Sequence, residues 1–337
     1  MPNVVCYGEV LLRLTAPQNG ALLQFPTLAV NVGGAEANVA VSLSRFGYPV
    51  SLVSVLPDNA LGHAALGELR RHGVHTDGIR FGAGRMGLYF LTVGAGHRPS
   101  EVLYDRNDSA FARAAPDLME WNEALAGSTW LHLSGITPAV SSSAAESALR
   151  AVRAARTLGL SVSFDCNYRA KLWERWHGSA RMILRDLVNE TDLLFADQRD
   201  IALILGRDYG GLPAQQRFQA AAGEALGNFP RLQRIATTVR VERTVDDHDL
   251  SAVMCSRSGL WTTRSYSLGR IVDRIGSGDA FAAGVLHCIL SGSDDQRAVN
   301  FALAAACLKH SIPGDFNLAG IADVDNLLQD TGFTVRR

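Results

Sequence analysis

Apolar and polar positions alternate along this chain with two distinct periods. Val4-Val5-Cys6-Tyr7 is a short continuous apolar run followed by Gly8-Glu9, the pattern of a buried strand that leaves into a loop. From Val10 to Val30 the alternation is looser and broken by Pro17, Gly20 and Pro26, which predicts β-hairpins. Glu36 to Phe46 then repeats Ala, Val and Leu on one helical face and ends at Gly47. Pro49 to Val55 reads as a strand, and Ala60 to His72 as a helix stopped by Gly73. Met86 to Val93 and Glu101 to Tyr104 are two more strand-like runs, separated by Gly94, Gly96 and Pro99 with no helix between them. Excursions at about 10–32 and 86–106 are therefore expected to form a small β-sheet lid.

From Thr129 onward strand and helix alternate. The pattern predicts strand Trp130 to Leu133, helix Ser142 to Leu158, strand Ser161 to Asp165, helix His177 to Val188 and strand Leu193 to Phe195. A helix around Ala214 to Leu226 follows, then strands Arg234 to Thr238, Asp249 to Met254 and Gly259 to Thr263, with an exposed charged turn at Asp246-Asp247-His248-Asp249. A helix Ala280 to Leu290 and helices Gln296 to Lys309 and Asp323 to Gln329 complete the chain. This order predicts a mostly parallel sheet with helices on both faces. With no repeat or linker, one domain is expected over 1–330 and a tail over 331–337.

Composition narrows the function. Among 337 residues, 47% are hydrophobic and 19% charged, enough apolar material for a large core and too little charge for disorder. The net charge of -1 leaves no basic field for nucleic acid or an anionic membrane. Five scattered cysteines form neither a disulfide framework nor a zinc ribbon, which points to a reducing compartment. No leader pattern stands at the N-terminus, and apolar runs such as Phe301 to Leu308 fall short of the roughly 18 residues of a membrane span. A cytoplasmic protein is the expectation.

The candidate chemistry lies at Gly276-Ser277-Gly278-Asp279. Three small residues before a helix let backbone N–H groups converge on one point, which attracts anions. Phosphoryl transfer needs such a nest, and a carboxylate at its lip, held ionised by the helix N-terminus, can take a proton from an attacking alcohol. An isolated Gly-x-Gly-Asp is more simply a turn and a helix cap. The chain has no Gly-Lys-Ser/Thr, which removes a Walker loop, and Gly33-Gly34-Ala35 is not a dinucleotide fingerprint.

The segments Asn31-Val32-Gly33-Gly34-Ala35-Glu36-Ala37-Asn38-Val39-Ala40 and Asp273-Arg274-Ile275-Gly276-Ser277-Gly278-Asp279-Ala280-Phe281-Ala282-Ala283-Gly284 resemble the two signatures of the PfkB carbohydrate kinases. The resemblance implies a ribokinase-like three-layer α/β/α fold, ATP and Mg²⁺ as cofactors, and Asp279 as catalytic base with Gly276, Ser277 and Gly278 as anion hole. Tyr104-Asp105-Arg106, Leu131 to Pro138 and Asp165-Cys166-Asn167-Tyr168-Arg169 resemble 2-keto-3-deoxygluconate kinases within that family.

By that resemblance Gly33, Gly34, Tyr89, Tyr104, Arg106, Arg169 and Asp315 would contact a sugar acid. Two arginines beside tyrosine hydroxyls suit a carboxylate. Nucleotide contacts would fall on Asn167, Tyr168, Arg169, Thr238, Arg240, Gly276, Gly278 and Asn300, and Asp200 would reach the metal, directly or through water.

Two stretches depart from the family. Asp197-Gln198-Arg199-Asp200 stands where Asn-x-x-Glu is common, and Thr237 to Glu242 lacks the usual glycines. Fructokinase, 5-keto-2-deoxygluconate kinase and a catalytically silent sugar-binding regulator remain alternatives; a nicotinamide oxidoreductase has no fingerprint to support it. A homo-oligomer is expected, because an open sheet lid exposes a face and an edge.

Overall fold

The computed structural model describes residues 2–329, so the tail expected at 331–337 lies outside the described residues. Among the described residues fourteen strands run in chain order: β1 (Val4–Tyr7), β2 (Leu11–Thr15), β3 (Ala29–Gly33), β4 (Val50–Pro57), β5 (Ile79–Gly82), β6 (Gly87–Thr92), β7 (Glu101–Asp105), β8 (Trp130–Ser134), β9 (Ser161–Asp165), β10 (Leu193–Phe195), β11 (Arg234–Thr244), β12 (Asp247–Ser256), β13 (Gly259–Thr262) and β14 (Tyr266–Gly269). The large sheet has the order β13-β12-β11-β10-β9-β8-β1-β4-β5, with β14 beside β12. Every pairing from β5 to β11 is parallel, and β12 pairs antiparallel with β11, β13 and β14.

Why the central strands read as unbroken apolar runs is clear from β1. Val4 and Cys6 pack on one face, with helices Ala35–Arg45, Ser277–Leu290 and Asp295–Lys309. Val5 and Tyr7 pack on the other, with helices Ser142–Thr157, Ala180–Asn189, Gln198–Leu205 and Ala214–Asn228. Both faces of a parallel sheet are covered, so alternation disappears. This is the three-layer ribokinase-like architecture.

The second sheet has the order β3-β2-β6-β7, assembled from the two excursions expected at 10–32 and 86–106. Its β2–β3 and β6–β7 pairs are antiparallel hairpins, and β2 joins β6 in parallel.

Several elements depart from the sequence pattern. Strands β5 and β14 and helix Gln198–Leu205 are further elements beyond those the pattern predicts. The helix expected from His177 begins at Ala180, since His177 takes a left-handed conformation, φ 57°. The supposed charged turn is mostly strand: β12 starts at Asp247, His248 is buried, and the chain reverses just before Asp247. The long Ala/Gly helix starts at Ser277 rather than Ala280, so Asp279 sits inside its first turn.

Candidate active site

The small sheet sorts its side chains by register. Asn31, Arg13, Tyr89 and Tyr104 stand opposite one another in successive strands and share one face. Val30, Leu14, Phe90 and Leu103 form the next row and therefore occupy the other face. Tyr89 and Tyr104 look into a cavity of about 510 Å³ that is also lined by Gly34, Arg106, Arg169, Asp279 and Asp315.

Most polar groups here are already held from behind. Tyr89 Oη donates to Asp315 Oδ1 at 2.5 Å, and Arg13 Nε lies 3.2 Å from Asp315 Oδ2. The Arg13 Nη2 also reaches Asp273 Oδ2 at 2.7 Å, which links the small sheet to the segment before the glycine turn. Burial pushes the Asp315 carboxyl up, and the Arg13 charge and the Tyr89 hydrogen bond pull it back. Arg106 is buried and donates through Nε to Glu9 Oε2 at 2.8 Å, while Ser109 Oγ donates to Glu9 Oε1. Glu9 thus fixes one edge of the guanidinium, leaving its bearing on the cavity set by protein rather than by solvent.

Gly34 has φ 144°, and a Cβ there would stand 2.3 Å from the Glu9 carbonyl oxygen. No side chain fits that approach. Gly33 does not line the cavity; it lies against Asp315, whose Oδ1 would be 2.3 Å from an added Cβ.

The glycine turn requires its glycine for the same physical reason. Gly276 has φ 81°, and an added Cβ would sit 2.0 Å from the Asp315 carbonyl oxygen. Ser277 N–H is taken by Arg274 O at 3.3 Å, whereas the amides of Gly278 and Asp279 belong to the first helical turn, where N–H groups lack partners inside the helix. Gly276, Ser277, Gly278 and Asp279 all line the cavity.

Asp279 Oδ2 accepts from Asn38 Nδ2 at 2.7 Å. The helix N-terminus, expected to hold this carboxylate ionised, is opposed by burial. Burial pushes it up to about 7, and the charges of Glu36 and Asp315 push the same way; Asn38 and Arg169 oppose them. A carboxyl with that value changes charge near neutrality.

A second cavity of about 960 Å³ opens at the carboxyl ends of β9, β10 and β11, where ligands of open α/β sheets sit. Asp200, Thr238 and Tyr168 line it. Asp165, Asn167, Arg169, Arg240 and Gly278 line both cavities and mark where they meet. Burial raises Asp165 to about 8, with the charges of Asp279 and Asp200 adding to it, and raises Asp200 to about 6.

Asp200 is also a helix cap. Its Oδ2 accepts from Asp197 N–H at 3.0 Å while Asp197 Oδ1 accepts from Asp200 N–H at 3.0 Å. Among the described residues no group of three or more His, Cys, Asp or Glu could hold a metal by itself. Mg²⁺ beside phosphates borrows only one or two carboxylates and keeps several waters, which fits Asp200 on a cavity wall that also carries Asp165 and Asp197.

Asn300 is not brought to either cavity. It lines a separate groove with Thr262, Thr263 and Gln296, and Gln296 Nε2 donates to its Oδ1 at 3.4 Å. Conversely, Glu9, Arg13 and the supporting role of Asn38 escaped the sequence reading. Glu9 follows the strand-ending Gly8, and Asn38 lies within the first signature; only the fold shows what each holds.

Comparison with known proteins places the fold in a family. The family model "pfkB family carbohydrate kinase" matches residues 1–317. The chain is 32% identical to the 2-dehydro-3-deoxygalactonokinase of Haloferax volcanii over 327 residues, 97% of this chain and 96% of that one. It is 26% identical to the 2-dehydro-3-deoxygluconokinase of Bacillus subtilis, covering 94% and 91%. The solved 2-dehydro-3-deoxygluconokinase of Thermotoga maritima superposes with a TM-score of 0.93 at 36% identity, covering 98% of this chain and 100% of that one. With its two signatures joined through Asn38 and Asp279, this chain belongs to the pfkB family of carbohydrate kinases, enzymes that transfer a phosphoryl group to a sugar.

Proposed function

We propose that this kinase transfers the γ-phosphoryl group of ATP to the 6-hydroxyl of 2-keto-3-deoxygluconate (2-dehydro-3-deoxy-D-gluconate), giving the 6-phosphate. The observation that carries the reading is the junction of the two cavities at Gly278, next to Asp279, where a nucleotide in one and a polyol in the other meet end to end.

Tyr104, Arg106 and Arg169 supply donors for the sugar-acid carboxylate, and Gly34, Tyr89 and Asp315 line the remainder of its cavity. Asp279 accepts the proton of the attacking hydroxyl. The amides at the start of helix Ser277–Leu290 stabilise the charge on the transferred group. On the nucleotide side Asn167, Tyr168, Thr238 and Arg240 would contact the ATP, and Asp200 would hold Mg²⁺, directly or through water. When bound, the metal neutralises phosphate charge.

An ADP-release assay over 2-keto-3-deoxygluconate, its galacto epimer and neutral ketoses tests this. Turnover confined to the sugar acids supports it, and a preference for fructose overturns it in favour of a fructokinase.

The protein also reads as a homo-oligomer. Val30 and Leu103 are each 58% exposed on the outward row of the small sheet. Such a face is suited to burial against a second copy. Light scattering is expected to give a mass above 36.2 kDa, and a monomer would refute it.

A further inference from the structure

Lys309 has no exposed surface, lines neither reaction cavity and ends helix Asp295–Lys309. Its Nζ donates to the backbone carbonyls of Ile312 at 2.9 Å and Asp273 at 3.5 Å. Those carbonyls come from two different segments. One, 273–276, leads into the glycine turn; the other, 312–315, ends at Asp315.

The surroundings show how closely these segments depend on one another. The carbonyl of His310 accepts from Val272 N–H at 2.9 Å and Asp273 N–H at 3.2 Å. Asp273 Oδ2 accepts from Gly314 N–H at 3.0 Å. At Gly276 the nearest groups to a Cβ position are the Asp315 carbonyl and Lys309 Cε at 3.4 Å, so the ammonium arm lies directly behind the turn.

A buried ammonium is disfavoured by several kcal/mol, and a methionine of similar length would fill the same space without that penalty. What the ammonium adds is a set of divergent donors reaching two carbonyl groups at once. We propose that Lys309 is a positioning residue for phosphoryl transfer, whose ammonium clamps segment 273–276 to segment 312–315 and so holds the 276–279 amides in register with Asp315. The inference rests on the reading of those amides as the anion site.

The clamp is sensitive to its proton. Burial lowers Lys309 to about 8, while Asp273, Asp315 and Asp279 favour the charged form and Arg13 opposes it. Neighbouring His310, lowered to about 4, stays neutral over the range concerned. The ammonium is therefore lost as pH rises through about 8, and turnover is expected to fall there.

Two measurements test the clamp. Lys309→Met, checked as folded by circular dichroism, is expected to lower kcat roughly 100-fold, the scale of a small misplacement of reacting groups, with KM for sugar and ATP within about threefold. In the wild type, the alkaline limb of kcat is expected to move to lower pH on warming, because ammonium ionisation is strongly endothermic. The limb of a carboxylate such as Asp165 would stay in place. The wild-type measurement stands even where the variant does not fold.

A kcat for folded K309M within about threefold of wild type, or a limb that ignores temperature, overturns the clamp. Asp279→Asn separates this from the underlying reading. An inactive D279N beside an active K309M removes the clamp alone, whereas an active D279N removes the reading of the site.

Discussion

Asn38 Nδ2 and Asp279 Oδ2 are 2.7 Å apart although 241 residues separate them in the chain. The amide belongs to the helix that opens the small-sheet side of the site, and the carboxylate to the helix that opens the anion nest. One hydrogen bond thereby ties helix Ala35–Arg45 to helix Ser277–Leu290, and it favours the ionised form of Asp279.

Removing the base should remove turnover. Asp279→Asn is expected to lower kcat by about 10² to 10⁴. In the wild type, kcat should rise as pH passes upward through about 7, because the protonated carboxyl cannot accept the hydroxyl proton. Asn38→Ala should move that limb to higher pH. Initial rates across pH 5 to 9 check both.

The same group opposes folding at alkaline pH. Its folded value, about 7, lies above the ordinary 3.8, so the protonated form is favoured in the folded state and stability declines as pH rises from about 4 to 7. D279N should therefore be more stable than wild type at pH 8, by on the order of a few kcal/mol, and should melt higher. An equal or lower Tm would contradict the burial argument.

Arg169 offers a cleaner probe of acid recognition than Arg106. Truncating Arg106 would strand the buried Glu9 carboxylate, at a cost of about 3 to 5 kcal/mol in stability. Arg169 is exposed and lines both cavities. Arg169→Ala should raise KM for a sugar acid by roughly 10- to 100-fold with unchanged Tm, the scale of one charged hydrogen bond. Equal effects on a neutral ketose would place Arg169 with the phosphates instead.

Gly34 tests the closeness of the wall. Gly34→Ala brings a Cβ to 2.3 Å from the Glu9 carbonyl at φ 144° and should destabilise by about 1 to 3 kcal/mol or more. Because Glu9 orients Arg106, KM for the sugar should rise in parallel. Denaturant melts and saturation kinetics on the same preparation measure the two effects.

His310 makes stability fall in acid. It is 3% exposed, its Nδ1–H donates to Ala306 O, and burial lowers it to about 4. The unfolded ring near 6.5 binds the proton first, so the stability contribution is complete above about 6.5 and is lost as pH falls toward 4. Between pH 7.5 and 5 the ring's share of the loss is on the order of 2 kcal/mol. Because Asp279 changes stability in the opposite sense over that range, the measure is the stability difference between wild type and His310→Gln in urea, which should shift by that amount between the two pH values.

How much of this was legible in the chain differs from element to element. Both signatures, the alternating core and the two excursions that build the small sheet are local patterns, and local backbone preference together with burial on one or two faces suffices to write them. Tyr89 and Tyr104 were readable as strand residues, and register alone puts them on one face.

Other features depended on packing between distant segments. How far the Asp279 carboxyl departs from its ordinary value is set first by burial and then by Asn38, Glu36 and Asp315, all of them supplied only once the fold has assembled. Glu9 behind Arg106, Arg13 between Asp273 and Asp315, and Lys309 behind Gly276 carry no local signature, since an isolated charge in a chain reads as solvated. Asn300 errs in the opposite sense: its helix was readable, but its position relative to the cavities was not. The sequence by itself determined the layers and the place of the glycine turn with Asp279 beside it. Only tertiary structure decided which charges are buried, because desolvation depends on what packs around a group and not on its neighbours in the chain.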